Sequence, residues 1–404
     1  MSTVAARLDG TVCQITLDTL PQFSEGRRVL TCIQCGVCAG TCPYGENMEY
    51  PPRRIIGMLR ARQLETVFTS DSLLNCVACY ACLAKCPRNI NLTGVLLPLV
   101  KEQALLHRKE FPAELQKALE NKLRYGNPMG ESPRKRAAWL KEAGVPVRIL
   151  SQDAAPVDVL WFVECYNSYH PRGQAISRAT ARIFHALGVD FAILGTEEKC
   201  AGECGRLTWE PGLFDSLMEY NMGVFGKYHF QRIVTSSPHA YDAFRIRYPI
   251  AGFSYRLDHT TPFLAQHLDR LRPMLTRKLS YTVTYHDTCC LGRHNHFYEE
   301  PRALLRAIPG VKLVEMTHNR VNGICCGGGG GGMWLDTYYK AKGYQRLSER
   351  RAQEAAATGA DVLAISCDYE YSRFEDALKV LGYDKKMVVK DVVELLAEAM
   401  GIES

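Results

Sequence analysis

No stretch of the 404-residue chain comes near the ~18 consecutive apolar positions that a membrane-spanning helix needs. The first thirty residues also lack the basic, apolar and small-residue order of an export leader. A phosphate loop is missing as well. No G-x-x-x-x-G-K-S/T occurs, and no G-x-G-x-x-G follows a strand with an acidic residue ~20 positions later, which argues against flavin or nucleotide binding by this chain. Charge is in modest supply: 23% of residues are charged and the net charge is +6, so nothing points to nucleic acid. These absences lead us to expect a cytoplasmic protein, large enough to bury its cores without disulfide staples. What the chain has in plenty is cysteine, 17 residues, and in a reducing compartment clustered thiols hold metal or do redox work more often than they cross-link.

Eight of these cysteines form two copies of one spacing, C-x2-C-x2-C-x3-C-P, in "CIQCGVCAGTCP" and "CVACYACLAKCP". This is the run used for cubane 4Fe-4S clusters. Three thiolates two residues apart can wrap three corners of a cube, and the fourth, turned away by the proline, ligates the other cluster. The expected sets are therefore Cys32, Cys35, Cys38 and Cys86 for one cubane, and Cys76, Cys79, Cys82 and Cys42 for the second. Zinc would want four ligands in C-x2-C pairs, which this run does not supply. The segment "PPRRIIGMLRARQLE" between the motifs reads as an amphipathic helix after a proline start. The unit so formed resembles the helical ferredoxin domain of succinate dehydrogenase iron–sulfur subunits and of the heterodisulfide reductase small subunit.

Beyond about residue 156 short apolar strands alternate with helices, the pattern of α/β units with parallel strands. "VDVLWFV", "VDFAIL", "RIVTSSPHA", "YTVTYH", "VKLVEM" and "DVLAIS" read as strands. The pattern repeats: the strand ending in Cys165 has Cys200 35 positions later, and the strand ending in Cys289 has Cys325 36 positions later. The expected fold class is α+β overall, a helical ferredoxin-like domain followed by two tandem α/β cysteine-rich modules. The expected boundaries are 1–108 for the two-cluster domain and 109–155 for a helical linker. A degenerate module follows at 156–278, and a module with a further cluster site at 279–404. Basic residues between Lys101 and Arg148, including "PRKR" at 133–136, are expected on a solvated helical face, with a partner-docking face as the alternative.

In "GICCGGGGGGMW" two vicinal cysteines precede six glycines. Adjacent Cα atoms lie ~3.8 Å apart, so Cys325 and Cys326 more readily reach two neighbouring irons than one. The glycines would let bare backbone approach an anionic cluster. Cys289 and Cys367 are expected at the carboxyl ends of strands, where open α/β sheets gather ligands.

"YHDTCCLGRHN", "CCGGGGGGMW" and "ISCDYEYSRFED", with the ferredoxin-like unit, resemble heterodisulfide reductase subunits in which ferredoxin-like and catalytic parts are fused. Similar chains serve the membrane redox complexes of sulfate reducers and lactate, glycolate or glycerol-3-phosphate oxidases. The resemblance implies a noncubane 4Fe-4S cluster on Cys289, Cys325, Cys326 and Cys367. The family's last cysteine position falls on Glu370, and Cys290 is an addition, so either Cys290 or Glu370 is expected to act at the cluster as the fifth ligand. In the first repeat Cys165, Cys200 and Cys204 remain while Ser237 and Ala240 stand where ligands would be, the mark of a structural pseudo-repeat.

The implied function is an oxidoreductase subunit passing electrons through two cubanes to a noncubane site. There it would reduce a disulfide or trisulfide, small molecule or small protein, or oxidise thiols in reverse. A non-catalytic relay in a larger complex is the alternative. Its partner would be a membrane cytochrome b-like subunit or a flavoprotein, holding it on the inner face of the membrane, with no nucleic acid involved. His239, His286, His294 and His296 are expected to be hydrogen-bonded structural residues, with proton transfer as the sharper role. Arg293 could hold an anion or cap a helix. Trp334 is expected in the core, and Cys13 as a small buried residue.

Overall fold

The segment between the cysteine motifs begins on Pro51 and Pro52, and the ring that fixes φ starts a helix without forfeiting a bonded N–H. The helix Pro52–Arg60 buries Ile55, Ile56, Met58 and Leu59, and a second helix, Leu64–Thr69, buries Val67 and Phe68. The structure, a computed structural model, describes residues 26–107 and 111–402, so Cys13 lies outside the described residues. No described helix is long and apolar enough to cross a membrane.

Two compact units emerge. The first comprises residues 1–117 with two later segments, 203–215 and 327–347; the second comprises 118–202, 216–326 and 348–404. These units cut across the four stretches expected from sequence. Within the first unit, Arg206 anchors segment 203–215 through Nη1 to the Gly94 carbonyl (2.7 Å), and Trp209 packs edge-on against Phe111. Segment 327–347 is held by Thr337 Oγ1 donating to Glu114 (2.7 Å), an ion pair of Lys342 with Asp71 (2.9 Å) and the ring of Tyr339 against Tyr44.

The second unit contains two parallel sheets, β1-β3-β2-β4-β5 and β7-β6-β8-β9. Their strands are β1 Arg148–Ile149, β2 Val157–Phe162, β3 Phe191–Ile193, β4 Phe230–Thr235, β5 Arg256–His259, β6 Thr282–Tyr285, β7 Lys312–Val314, β8 Val362–Ile365 and β9 Val388–Asp391. With β1 set aside, each sheet orders its strands second, first, third, fourth, so the duplication read from the sequence is a duplication of topology. Both sheets are all-parallel and buried between helices, which explains strands such as VLAI that are apolar throughout. The stretch expected as a linker is divided between the two units at residue 117. It holds the helix Ala113–Tyr125, but β1 pairs with β3 in register Arg148↔Ala192 and so joins the first sheet.

Candidate metal centres

The ferredoxin-like cysteines sort into two groups. Cys32, Cys35, Cys38 and Cys86 line one cavity with Arg53 and Arg88, Cys42, Cys76 and Cys79 line another with Thr93, and Cys82 lines both. In each group the last cysteine of one motif sits with the first three of the other. Gly36 takes a left-handed φ of 85° before the short helix Val37–Gly40, turning the first loop around its cavity. Burial, then the neighbouring Cys32, Cys86 and Cys35, push the Cys38 thiol up to about 11, and burial pushes Cys82 up to about 12. Crowded, desolvated thiols that resist ionisation alone become ligands once a cation balances them, so these residues fit iron–sulfur clusters.

In the second cysteine-rich module, Cys289 Sγ lies 3.3 Å from Cys325 Sγ, and both sulfurs are buried. Ligand atoms of His286, Cys326 and Glu370 lie within 4.8 Å of one another, all buried. His286 follows β6 directly, Cys367 lies two residues past the carboxyl end of β8, and Glu370 opens the helix Glu370–Val380 that comes next. His286 Nε2 is 3.1 Å from Glu370 Oε1, Arg351 Nε approaches His286 Nδ1 at 3.1 Å, and Thr288 donates to the Glu370 carboxylate at 2.9 Å. The hydrogen bond with Cys325 outweighs burial, and with the His286 imidazole holds the Cys326 thiol well below its ordinary range. Burial opposes charge on His286, yet Glu370 and Cys326 lift it to about 9; burial raises Glu370 to about 7 against the pull of His286. The set can offer a thiolate, two further thiols, an imidazole and a carboxylate to a cluster, which is the donor chemistry such a site requires.

Of the two candidates for a fifth ligand, Glu370 stands beside Cys326, whereas Cys290 Sγ faces His239 Nδ1 at 3.7 Å. Cys367 Sγ approaches Asp368 at 3.7 Å, and burial followed by Glu370 and Asp368 pushes its thiol up. His294 pairs with Asp242 (3.1 Å), and His296 is exposed. Arg293 is buried and donates to the Gly323 carbonyl (2.5 Å), two residues before the vicinal cysteines. Trp334 is half-buried rather than core.

The glycine run corrects an expectation. It belongs to the first unit, and a Cβ at Gly330 (φ +57°) would stand 2.2 Å from the Cys76 carbonyl and 3.0 Å from Val77. The bare backbone is thus required by close contact with the ferredoxin-like chain at Cys76.

In the first module Ser237 follows β4 by two residues as Cys367 follows β8, so the lost ligand is topologically equivalent to the retained one. Cys165, Cys200 and Glu164 bring ligand atoms within 4.8 Å, while Cys204 belongs to the first unit. Sequence reasoning missed the support around them. Arg136, expected on a solvated face, is buried with its guanidinium on Glu198 (2.8 Å) and 3.4 Å from Cys165 Sγ. Glu198 also accepts from the Val163 and Glu164 amides. Lys101 and Lys122 of the same basic stretch are buried too. Nothing in the local sequence hinted at this, because the stretch holds no cysteine and burial of a long cation leaves no periodic mark.

A family model for a cysteine-rich domain matches residues 159–244 and 283–369, and one for a 4Fe-4S dicluster domain matches 28–90. A polypeptide of the dihydromethanophenazine:CoB–CoM heterodisulfide reductase of Methanosarcina mazei is 30% identical over 403 residues, covering 93% of this chain and 94% of that protein. The chain belongs to the family of that heterodisulfide reductase polypeptide. It is also 34% identical to a probable iron–sulfur-binding oxidoreductase, FadF, of Bacillus subtilis, over 83% of this chain and 47% of that protein. The EtfAB:quinone oxidoreductase of Syntrophomonas wolfei is 31% identical, over 83% of this chain and 48% of that protein. The chain therefore spans about half the length of these last two relatives. The dicluster match places iron–sulfur chemistry in residues 28–90.

Proposed function

We propose that the chain carries electrons through two cubanes, on Cys32, Cys35, Cys38 and Cys86 and on Cys42, Cys76, Cys79 and Cys82, to a noncubane 4Fe-4S site. That site would be held by Cys289, Cys325, Cys326 and Cys367 with Glu370 as the fifth ligand, and would reduce a disulfide or trisulfide or run the reverse thiol oxidation. The observation that carries this reading is the convergence of Cys326, His286 and Glu370 beside the Cys289–Cys325 pair. When bound, such a cluster supplies electrons one at a time to a substrate sulfur. The chain's own groups hold the protons. The proton is carried by His286, whose charged form Glu370 at 3.1 Å and Cys326 favour against burial, and Thr288 and Arg351 fix the orientation of the two side chains. Burial of this set keeps water from competing with the substrate thiolate for that proton.

Relatives named for a heterodisulfide and for EtfAB and quinone support an electron-donating partner, which we assign to a membrane cytochrome b-like subunit or a flavoprotein. On this reading the chain sits peripherally at the inner membrane face through that partner. The anaerobically purified protein is expected to contain about twelve irons and to be reoxidised by disulfides, with an electron paramagnetic resonance signal altered by added thiol. About eight irons and no response to disulfide would leave a pure relay. The glutamate at the family's last cysteine position is the observation that favours that second reading.

Lys101 offers a separate check on the second cubane. It is buried, donates to the carbonyls of Cys76 (3.4 Å) and Leu207 (3.1 Å) and lies over the Trp209 ring. Burial pulls its pKa down while Cys76 pulls it back up. Next to an anionic cluster the ammonium favours the reduced state. Lys101→Met is expected to lower the midpoint potential of one cubane by on the order of tens of millivolts, as a charge at an effective dielectric near 20 implies, and to leave the other unchanged. Redox titration followed by paramagnetic resonance reads both; equal midpoints in variant and parent would remove Lys101 from this role.

A further inference from the structure

The loop bearing Cys32, Cys35 and Cys38 is the most outward part of the first unit's cysteine clusters. Cys35 is exposed, and three of the nine large apolar side chains exposed anywhere among the described residues, Leu30, Ile33 and Val37, stand on or beside it, Ile33 at 63%. Around this small apolar tip stand exposed arginines. Arg60 Nη1 donates to the Cys32 carbonyl (2.7 Å), Arg28 Nη1 to the Asn89 carbonyl (3.3 Å), and Arg53 and Arg88 line the cavity shared by Cys32, Cys35, Cys38 and Cys86. Among the described residues no ion pair joins Arg53, Arg60 or Arg88 to a carboxylate, so three guanidiniums border the exposed loop with their charge uncompensated by a bonded acid.

We infer that this arginine-bordered face docks the acidic surface of an electron-transfer protein that exchanges electrons with the first cubane. The inference rests on the reading that Cys32, Cys35, Cys38 and Cys86 hold that cubane. A few apolar residues within a ring of one charge suit the small, transient contacts of redox pairs, where opposite charge raises the encounter rate and the apolar centre excludes water. Electron transfer also needs a cluster edge close to the surface, and the exposed Cys35 provides it. An anionic lipid surface would satisfy the arginines but would bring no electron to Cys35, so we assign the face to a protein. Each encounter moves one electron from the reduced partner to the oxidised cubane, with no bond made or broken.

Full-length, cluster-loaded protein can be mixed in stopped flow with a pre-reduced acidic flavodoxin as surrogate donor, across a range of sodium chloride concentrations. The parent rate is expected to fall by about tenfold between low and high salt. In the charge-reversed Arg53→Glu/Arg88→Glu variant the low-salt rate is expected to fall by about tenfold and to lose its salt dependence. The neutral Arg53→Gln/Arg88→Gln variant should lie between. Reduction by dithionite, which needs no docking, should be equal in all three and shows that the cubane is present. Equal flavodoxin rates with equal dithionite rates would overturn the docking face while leaving the cubane reading intact. So would sedimentation with anionic phosphatidylglycerol vesicles that the reversal abolishes without changing the flavodoxin rate. A dithionite-silent protein lacking the cubane signal would overturn both.

Discussion

Gly330→Ala is expected to cost the first unit about 3 kcal/mol or more, a fall of roughly 6 to 12 °C in its thermal midpoint. The added Cβ would stand 2.2 Å from the Cys76 carbonyl, and both partners are backbone, so neither can swing aside as a side chain would. The left-handed φ of +57° adds its own penalty for an L side chain. Gly343 provides the control: its φ of +69° is similarly left-handed, but nothing lies within 4 Å of a Cβ there. Gly343→Ala should therefore show only the conformational cost of about 1 kcal/mol. Calorimetry on the loaded protein separates the two, and equal losses would mean that packing against Cys76 contributes nothing.

Cys326→Ser should remove the third cluster, taking about four irons per chain with it and reducing disulfide-dependent reoxidation to background. Its hydrogen bond with Cys325 and the His286 imidazole hold this thiol well below its ordinary range. Serine would keep the size but withdraw the soft ligand. Iron retention should discriminate among neighbours. Cys290→Ser, whose sulfur faces His239, is expected to keep all the iron, whereas Glu370→Gln should alter the spectrum of the third cluster. The cubane signals serve as internal reference, because Cys38 and Cys82 lie in the other unit. Full iron content in Cys326→Ser would end the proposal for this site.

Much of this organisation is legible because it is written in short-range spacing. C-x2-C-x2-C-x3-C-P already implies the exchange of fourth cysteines that the two cavities display, and an apolar strand followed by cysteine marks β2 and β6. Strands β1, β5 and β9 carry no such mark. β1 has two residues, and "RLDH" and "VVKD" bear charges at sheet edges, where hydrophobic patterning is weakest. The buried Arg136–Glu198 pair and Lys101 are invisible for a different reason: a charged residue reads as solvated until its partner, 62 positions away in the case of Arg136, is seen. The glycine run signals freedom of backbone, and the fold uses that freedom. Its contact, the Cys76–Val77 peptide more than 250 positions earlier, leaves no trace in local pattern.

The division of the first unit into residues 1–117, 203–215 and 327–347 has a consequence for biogenesis. Synthesis proceeds from the N-terminus at about 5–20 residues per second, so some ten to fifty seconds separate the emergence of residue 117 from that of residue 347. When residue 117 emerges, the ferredoxin-like segment has its eight thiols but neither Arg206 on Gly94 nor Gly330 against Cys76 to close it. A fragment that stops before residue 327 therefore lacks the contacts of Thr337 with Glu114 and of Lys342 with Asp71 that hold the last segment of the first unit in place.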